Sequence, residues 1–167
     1  MCFDSGRGVC VLFGGSNGLP MGDTWEFDLG FGPAYATYGG GCPGIHGVPA
    51  IAAQTASLPR VGTTFNLQVN NLPFTGPAFL FLGLSDQSYF GYPLPLSLAS
   101  IGAPTCSLLC SGDQLQVVSN VLGSAVWSFT VPPFPGATFF NQAIALDPSA
   151  NALGLTTSNG GRGIIGM

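Results

Sequence analysis

The chain has 167 residues, of which 46% are hydrophobic and only 6% charged, and its formal net charge is −4. It contains no lysine, and its only cationic residues are Arg7, Arg60 and Arg162. That composition excludes an electrostatic nucleic-acid binder, which needs clustered Lys and Arg to displace counterions. Every apolar run is interrupted by Gly, Pro or polar residues well short of about 18 residues, so no membrane span is expected. The 26 glycines and 14 prolines punctuate apolar stretches, which predicts many short strands joined by turns.

In chain order, residues 1–29 predict a β-hairpin with strands at about 8–14 and 23–29. Its apolar residues, Val9, Val11, Phe13, Trp25 and Phe27, are expected on one face that must be buried, because a lone hairpin is at best marginally stable in water. Half of all charged residues (Asp4, Arg7, Asp23, Glu26, Asp28) fall in this segment. Residues 30–37 (Gly30-Phe31-Gly32-Pro33-Ala34-Tyr35-Ala36-Thr37) are expected to be a linker, and residues 38–167 a second unit. There, Thr64-Phe65-Asn66-Leu67-Gln68-Val69-Asn70 and Trp127-Ser128-Phe129-Thr130-Val131 alternate polar and apolar, the mark of strands with one buried face. Ala78-Phe79-Leu80-Phe81-Leu82-Gly83-Leu84 is continuously apolar, as in a strand covered on both faces. Further strands are expected at 49–56, 94–101, 106–111, 115–122, 137–147 and 153–158. No window has helical periodicity, and the recurrent prolines would break a helix. The fold class is therefore all-β, an antiparallel β-sandwich (Ig-like or jelly-roll-like) of about nine strands, with a β-barrel as the alternative. The outward positions carry Thr, Asn, Gln and Ser. Edge strands are normally protected by charge, especially lysine, so these edges are covered by prolines and loops or pair with another chain.

Two resemblances add to this reading. The first is carried by Asp4-Ser5-Gly6-Arg7, Val9-Cys10-Val11-Leu12-Phe13-Gly14-Gly15 and Gly22-Asp23-Thr24-Trp25-Glu26-Phe27-Asp28, which together resemble one partial kelch repeat. A full repeat builds a four-stranded propeller blade, so the resemblance implies about half a blade, the tail of a larger protein or an orphan hairpin in a new use. The N-terminus lacks the apolar core of a signal peptide, and an export signal is expected upstream. The second resemblance covers residues 38–167. It is carried by Tyr38-Gly39-Gly40-Gly41-Cys42-Pro43-Gly44, Leu58-Pro59-Arg60-Val61-Gly62-Thr63-Thr64-Phe65, Gly102-Ala103-Pro104-Thr105-Cys106-Ser107 and Gln142-Ala143-Ile144-Ala145-Leu146-Asp147-Pro148. These segments are similar to a C-terminal module of large secreted proteins of planctomycete-type bacteria. The resemblance implies an extracellular or cell-surface, non-catalytic β-rich module without a defined ligand. It also implies a disulfide between Cys42 and Cys106. Cys110 would compete for Cys42 if its strand is regular, Cys2 and Cys10 would pair across a turn, and the alternative for all three is a thiol acting as a small hydrophobe.

Catalytic chemistry finds little support. His46 is the only histidine and sits in a Gly/Pro-rich loop, with no Gly-x-Ser-x-Gly elbow anywhere. With no CxxC motif, zinc is not expected. Asp23, Glu26 and Asp28 are the densest carboxylates, but a calcium site needs six to eight oxygens, and as a pair for glycoside hydrolysis they lack a burial that would raise one pKa. Gly160-Gly161-Arg162-Gly163 is a weak phosphate-loop mimic, more simply a flexible turn before a last strand. No enzyme and no cofactor are expected. The exposed aromatic residues Tyr89, Phe90 and Tyr92 are candidates for ligand binding, as a carbohydrate platform or an interface anchor. The expected function is a structural or interaction module that forms oligomers or fibres through its hairpin or open edges. The alternative is a module that binds polysaccharide or a cell surface.

Overall fold

The computed structural model describes residues 2–4, 9–28 and 32–167. Of the kelch-type lead-in, Ser5, Gly6 and Arg7 lie outside the described residues, as do Gly30 and Phe31 of the expected linker. The structure is all-β. Its strands are β1 (Cys2–Asp4), β2 (Val9–Ser16), β3 (Pro20–Asp28), β4 (Ala34–Tyr38), β5 (Ala50–Ala53), β6 (Thr64–Asn70), β7 (Pro77–Gly83), β8 (Ser88–Tyr89), β9 (Tyr92–Pro93), β10 (Leu96–Ser97), β11 (Ser107–Leu108), β12 (Gln114–Ser119), β13 (Ala125–Thr130), β14 (Thr138–Leu146) and β15 (Leu155–Ile164).

Two antiparallel sheets form the sandwich, one ordered β12-β7-β14-β15-β4 and the other β13-β6-β5. Alternation places Phe65, Leu67 and Val69 of β6 and Ala125 and Trp127 of β13 in the core, with Ser128 and Asn66 outside, where the serine hydroxyl donates to the Asn66 Oδ1 at 2.6 Å. The facing sheet contributes small residues, Ala78, Ala143 and Ala145, beside Leu80. Small side chains on one sheet leave room for Trp127 and Phe65 on the other, the condition for dense packing. Phe65, Phe129 and Phe139 close one end of this core as a triad of edge-to-face rings, with centroids 5.6–6.0 Å apart.

Three expectations for the sandwich are corrected. Ala34, Tyr35, Ala36 and Thr37 of the expected linker belong instead to β4, which pairs with β15 as the fifth strand of the large sheet. Tyr35 is anchored in the core, its hydroxyl donating to the Asn141 Oδ1 at 2.8 Å. The expected strands at 94–101 and 106–111 shrink to the two-residue pair β10 and β11, separated by a 3-10 turn at Ala99–Ile101. Finally, Gly160-Gly161-Arg162-Gly163 is neither turn nor loop but the interior of β15, with the Arg162 guanidinium 6.0 Å from the Phe140 ring centre.

Residues 98–111 cross the outer side of the large sheet, held by the buried amide of Gln142. That amide accepts from the Leu109 N–H and donates to the carbonyls of Ser107 and Ser158. Tyr38 reinforces the contact by donating to the Leu109 carbonyl at 2.9 Å.

The N-terminal strands form their own sheet, β1-β2-β3. Its register corrects the expected apolar face. Directly paired residues of an antiparallel ladder share a face. Leu12 pairs with Trp25 and Cys10 with Phe27, whereas Val11 pairs with Glu26 and Phe13 with Thr24. Val9, Val11 and Phe13 therefore lie on the side opposite Trp25 and Phe27. The cause is a bulge: Gly15 pairs with Met21 but Phe13 with Thr24, so Gly22 and Asp23 together oppose Gly14. Gly14 adopts φ +71°, the left-handed conformation that glycine tolerates best. Continued without the bulge, the Gly15–Met21 register would set Val11 against Trp25 and Val9 against Phe27, the arrangement expected from the apolar pattern.

Candidate functional site

The aromatic candidates lie on a tight hairpin. β8 and β9 pair through Ser88–Pro93 and Tyr89–Tyr92, leaving Phe90 and Gly91 as the two-residue turn. Both have positive φ, +48° and +82°, as in a type I′ turn, where Asn-Gly is the usual choice. A phenylalanine there is strained. Its ring is 84% exposed and lies 4.4 Å from the Tyr89 ring centre. Tyr89 is half-buried and donates its hydroxyl to the Gly112 carbonyl, while Tyr92 is exposed. The structure thus brings the three together, with Tyr89 as support and Phe90 and Tyr92 as exposed surface. Below them is a cleft lined by Tyr89, Phe90, Ser85, Ser111 and Asp113.

A larger cavity, about 620 Å³, opens between the two sheets beside the β12 and β13 edges. Leu82, Phe129, Phe134 and Phe139 give it apolar walls, and Gln114, Gln116 and Asp113 stand at its polar side. The Asp113 Oδ2 accepts from the Ser111 hydroxyl at 2.7 Å and from the Leu84 N–H at 2.8 Å. Leu84 and Asp113 line both spaces, so the two adjoin. The sequence does not show this cavity, because residues 115–122 predict a strand without showing which side faces the core. The available signal was its inverted alternation. Gln114 and Gln116 pair with Leu82 and Leu80 and so face the core side, while Leu115 and Val117 face out.

The remaining candidates separate. Cys42 and Cys106 form a disulfide spanning 64 residues, buried against Ala103, Leu98, Leu153 and Leu155. Cys2 and Cys10 remain unbonded to each other, and Cys110 is a buried free thiol, so neither the Cys2–Cys10 pairing nor the competition for Cys42 is realised. In the N-terminal sheet Phe13, Trp25 and Phe27 are 70%, 56% and 50% exposed. Asp23 accepts the Trp25 indole N–H at 2.7 Å, and among the described residues no group of three potential metal ligands gathers. His46 stacks on Phe74 with ring centres 3.8 Å apart. The nearby Asp147 is engaged by the Ser149 hydroxyl and the Ile45 N–H. The serine bonds to the aspartate rather than to the imidazole, which is not the geometry of a Ser–His–Asp relay.

Compared with protein-family models, curated proteins and solved structures, the chain finds no match. The buried disulfide is compatible with an oxidising compartment, and no helix among the described residues is long and apolar enough to cross a membrane.

Proposed function

We propose that the chain is a non-catalytic extracellular interaction module that assembles with copies of itself through its N-terminal sheet and the open edge of its sandwich. The observation that carries this reading is the exposed apolar surface of the N-terminal sheet. Trp25 and Phe27 on one side and Phe13 on the other remain in contact with solvent, although so small a sheet needs a packed face to be stable. The β12 edge offers a matching surface, with exposed Leu115 and Val117 beside half-buried Phe79 and Phe81. No lysine protects any edge. The resemblance of the first 28 residues to part of a kelch repeat supports the same reading, since such a piece ordinarily packs within a ring of blades. A contact between two different surfaces that does not close yields a filament. Light scattering and negative-stain microscopy of the purified chain test this: a monodisperse monomer at high concentration rejects it.

A second reading is favoured by the hairpin tip. An aromatic residue held exposed in a strained turn is a feature found at binding sites, and Phe90 and Tyr92 offer ring surface to a polysaccharide or cell surface. Alanine at both positions should abolish retention on insoluble polysaccharide with the fold intact, and unchanged retention rejects this reading.

A further inference from the structure

We infer that the cavity between the β12 and β13 edges is a binding site for a neutral saccharide, held by Gln114 and Gln116 above a floor of phenylalanine rings. This goes beyond both readings above: the cavity uses the core-facing side of β12, opposite the Leu115 and Val117 side given to self-assembly, and it lies apart from the exposed tip, although it adjoins the tip at Leu84 and Asp113.

The argument begins with the misplaced amides. Gln116 pairs with Leu80, which is fully buried, so it occupies a core-facing position of an edge strand. Gln116 is half-buried and Gln114 exposed, so both amides keep access to solvent at the cavity, where a leucine or valine would instead extend its apolar wall. Among the described residues, no side-chain hydrogen bond engages the amide of Gln114 or Gln116. Local choices that oppose the fold are expected where function requires them. The apolar walls identify the ligand's second property. Phe129 and Phe139 meet edge-to-face at 5.9 Å, and with Phe134 they offer aromatic surface to the C–H face of a sugar ring. Each amide both donates and accepts, which matches hydroxyl groups that do the same. The Asp113 Oδ1 makes no hydrogen bond among the described residues and is available as a further acceptor. Charge narrows the class. Among the described residues no arginine lines the cavity, and the only ionisable lining group there is the carboxylate of Asp113, so uronates and sulfated sugars are disfavoured. The volume, about 620 Å³, falls within the usual range of small-molecule sites.

The test is calorimetric titration of the full chain with cellotetraose, laminaritetraose, xylotetraose and maltotetraose, with tetragalacturonate as the anionic control, beside the variant Gln116→Leu. At least one neutral sugar should bind, the anionic one should not, and Gln116→Leu should weaken binding about tenfold or more. The same variant should melt at an equal or higher temperature, because the leucine extends the apolar wall. Three results overturn the inference. One is binding retained in Gln116→Leu, which makes the amide structural only. Another is binding lost in Tyr92→Ala but not in Gln116→Leu, which moves the sugar to the tip. The third is failure of every neutral sugar while the dye 1-anilinonaphthalene-8-sulfonate binds, which makes the cavity an apolar cleft.

Discussion

Leu115 lies directly across from Phe81 on the outer side of the large sheet, and Val117 stands likewise across from Phe79. On the edge strand this side is open, with Val117 60% exposed. Side chains at such an edge contribute little to the monomer but govern what pairs with it. On the self-assembly proposed above, Val117→Lys is therefore expected to abolish association while changing stability by no more than about 0.5 kcal/mol. Light scattering reads the first effect and thermal melting the second. A variant that still assembles would move the contact away from this edge.

The Cys42–Cys106 bond closes a loop of 64 residues and joins the segment after β4 to the segment crossing the large sheet. On the chain-entropy account, losing it costs about 4 kcal/mol. The double variant Cys42→Ala with Cys106→Ala should show this loss in urea unfolding, with β10, β11 and the 3-10 turn losing hydrogen-exchange protection first. A loss below about 1 kcal/mol would mean that Gln142 and Tyr38 hold that segment unaided.

Burial pushes the Cys110 thiol up to about 12, helped by the charges of Asp113 and Asp86. The thiolate is the reactive form, so Cys110 should resist iodoacetamide at neutral pH in the folded protein and react only after unfolding. Cys2, which is exposed, should be labelled in the native state. Mass spectrometry of labelled peptides separates the two.

What was legible in the sequence follows from where one physical rule acted alone. β6 and β13 were recovered because alternation by itself dictates a half-buried strand, and their inward residues are the core. β4 was missed because Ala36 and Thr37 between two tyrosines have no apolar pattern, and Gly32-Pro33 before them reads as a linker. Its place in the sheet depends on Tyr35 reaching Asn141, a contact across 106 positions. The N-terminal face was wrong for a single reason, since one extra residue opposite Gly14 inverts the facing of every pair beyond it. The amides in the cavity were visible as letters but not as an anomaly, because only pairing with Leu80 and Leu82 reveals which way they face.

Glycine at position 161 is required by its neighbours. A Cβ there would overlap the Tyr35 hydroxyl and lie 2.5 Å from the Asn141 Oδ1, two groups already bonded to each other. Gly161→Ala must break that bond or displace β4, leaving buried polar groups unsatisfied, which costs about 1–3 kcal/mol or more. A melt and urea titration check the loss. Tyr35→Phe, which removes the hydroxyl, should soften the effect of Gly161→Ala in a double-mutant cycle.

Asp147 fixes the loop that carries His46, and its titration makes that contact pH-dependent. Burial works to raise its pKa, but the Ser149 hydroxyl, the Ile45 and Ser149 N–H groups and nearby His46 outweigh it and hold the carboxyl below its ordinary value of 3.8. The charged form is therefore bound more tightly in the folded state. The sign follows: the stabilisation is fully present above pH 3.8 and disappears as pH falls from there through the lower folded-state value. Asp147→Asn removes a charged acceptor of three hydrogen bonds and should cost about 1–3 kcal/mol at neutral pH. Because the other carboxylates titrate alike in both proteins, the difference in stability between wild type and Asp147→Asn isolates this group. Plotted against pH, that difference should stay flat above 3.8 and shrink below it. A difference that persists unchanged into acid would show that Asp147 acts through packing and not through its charge.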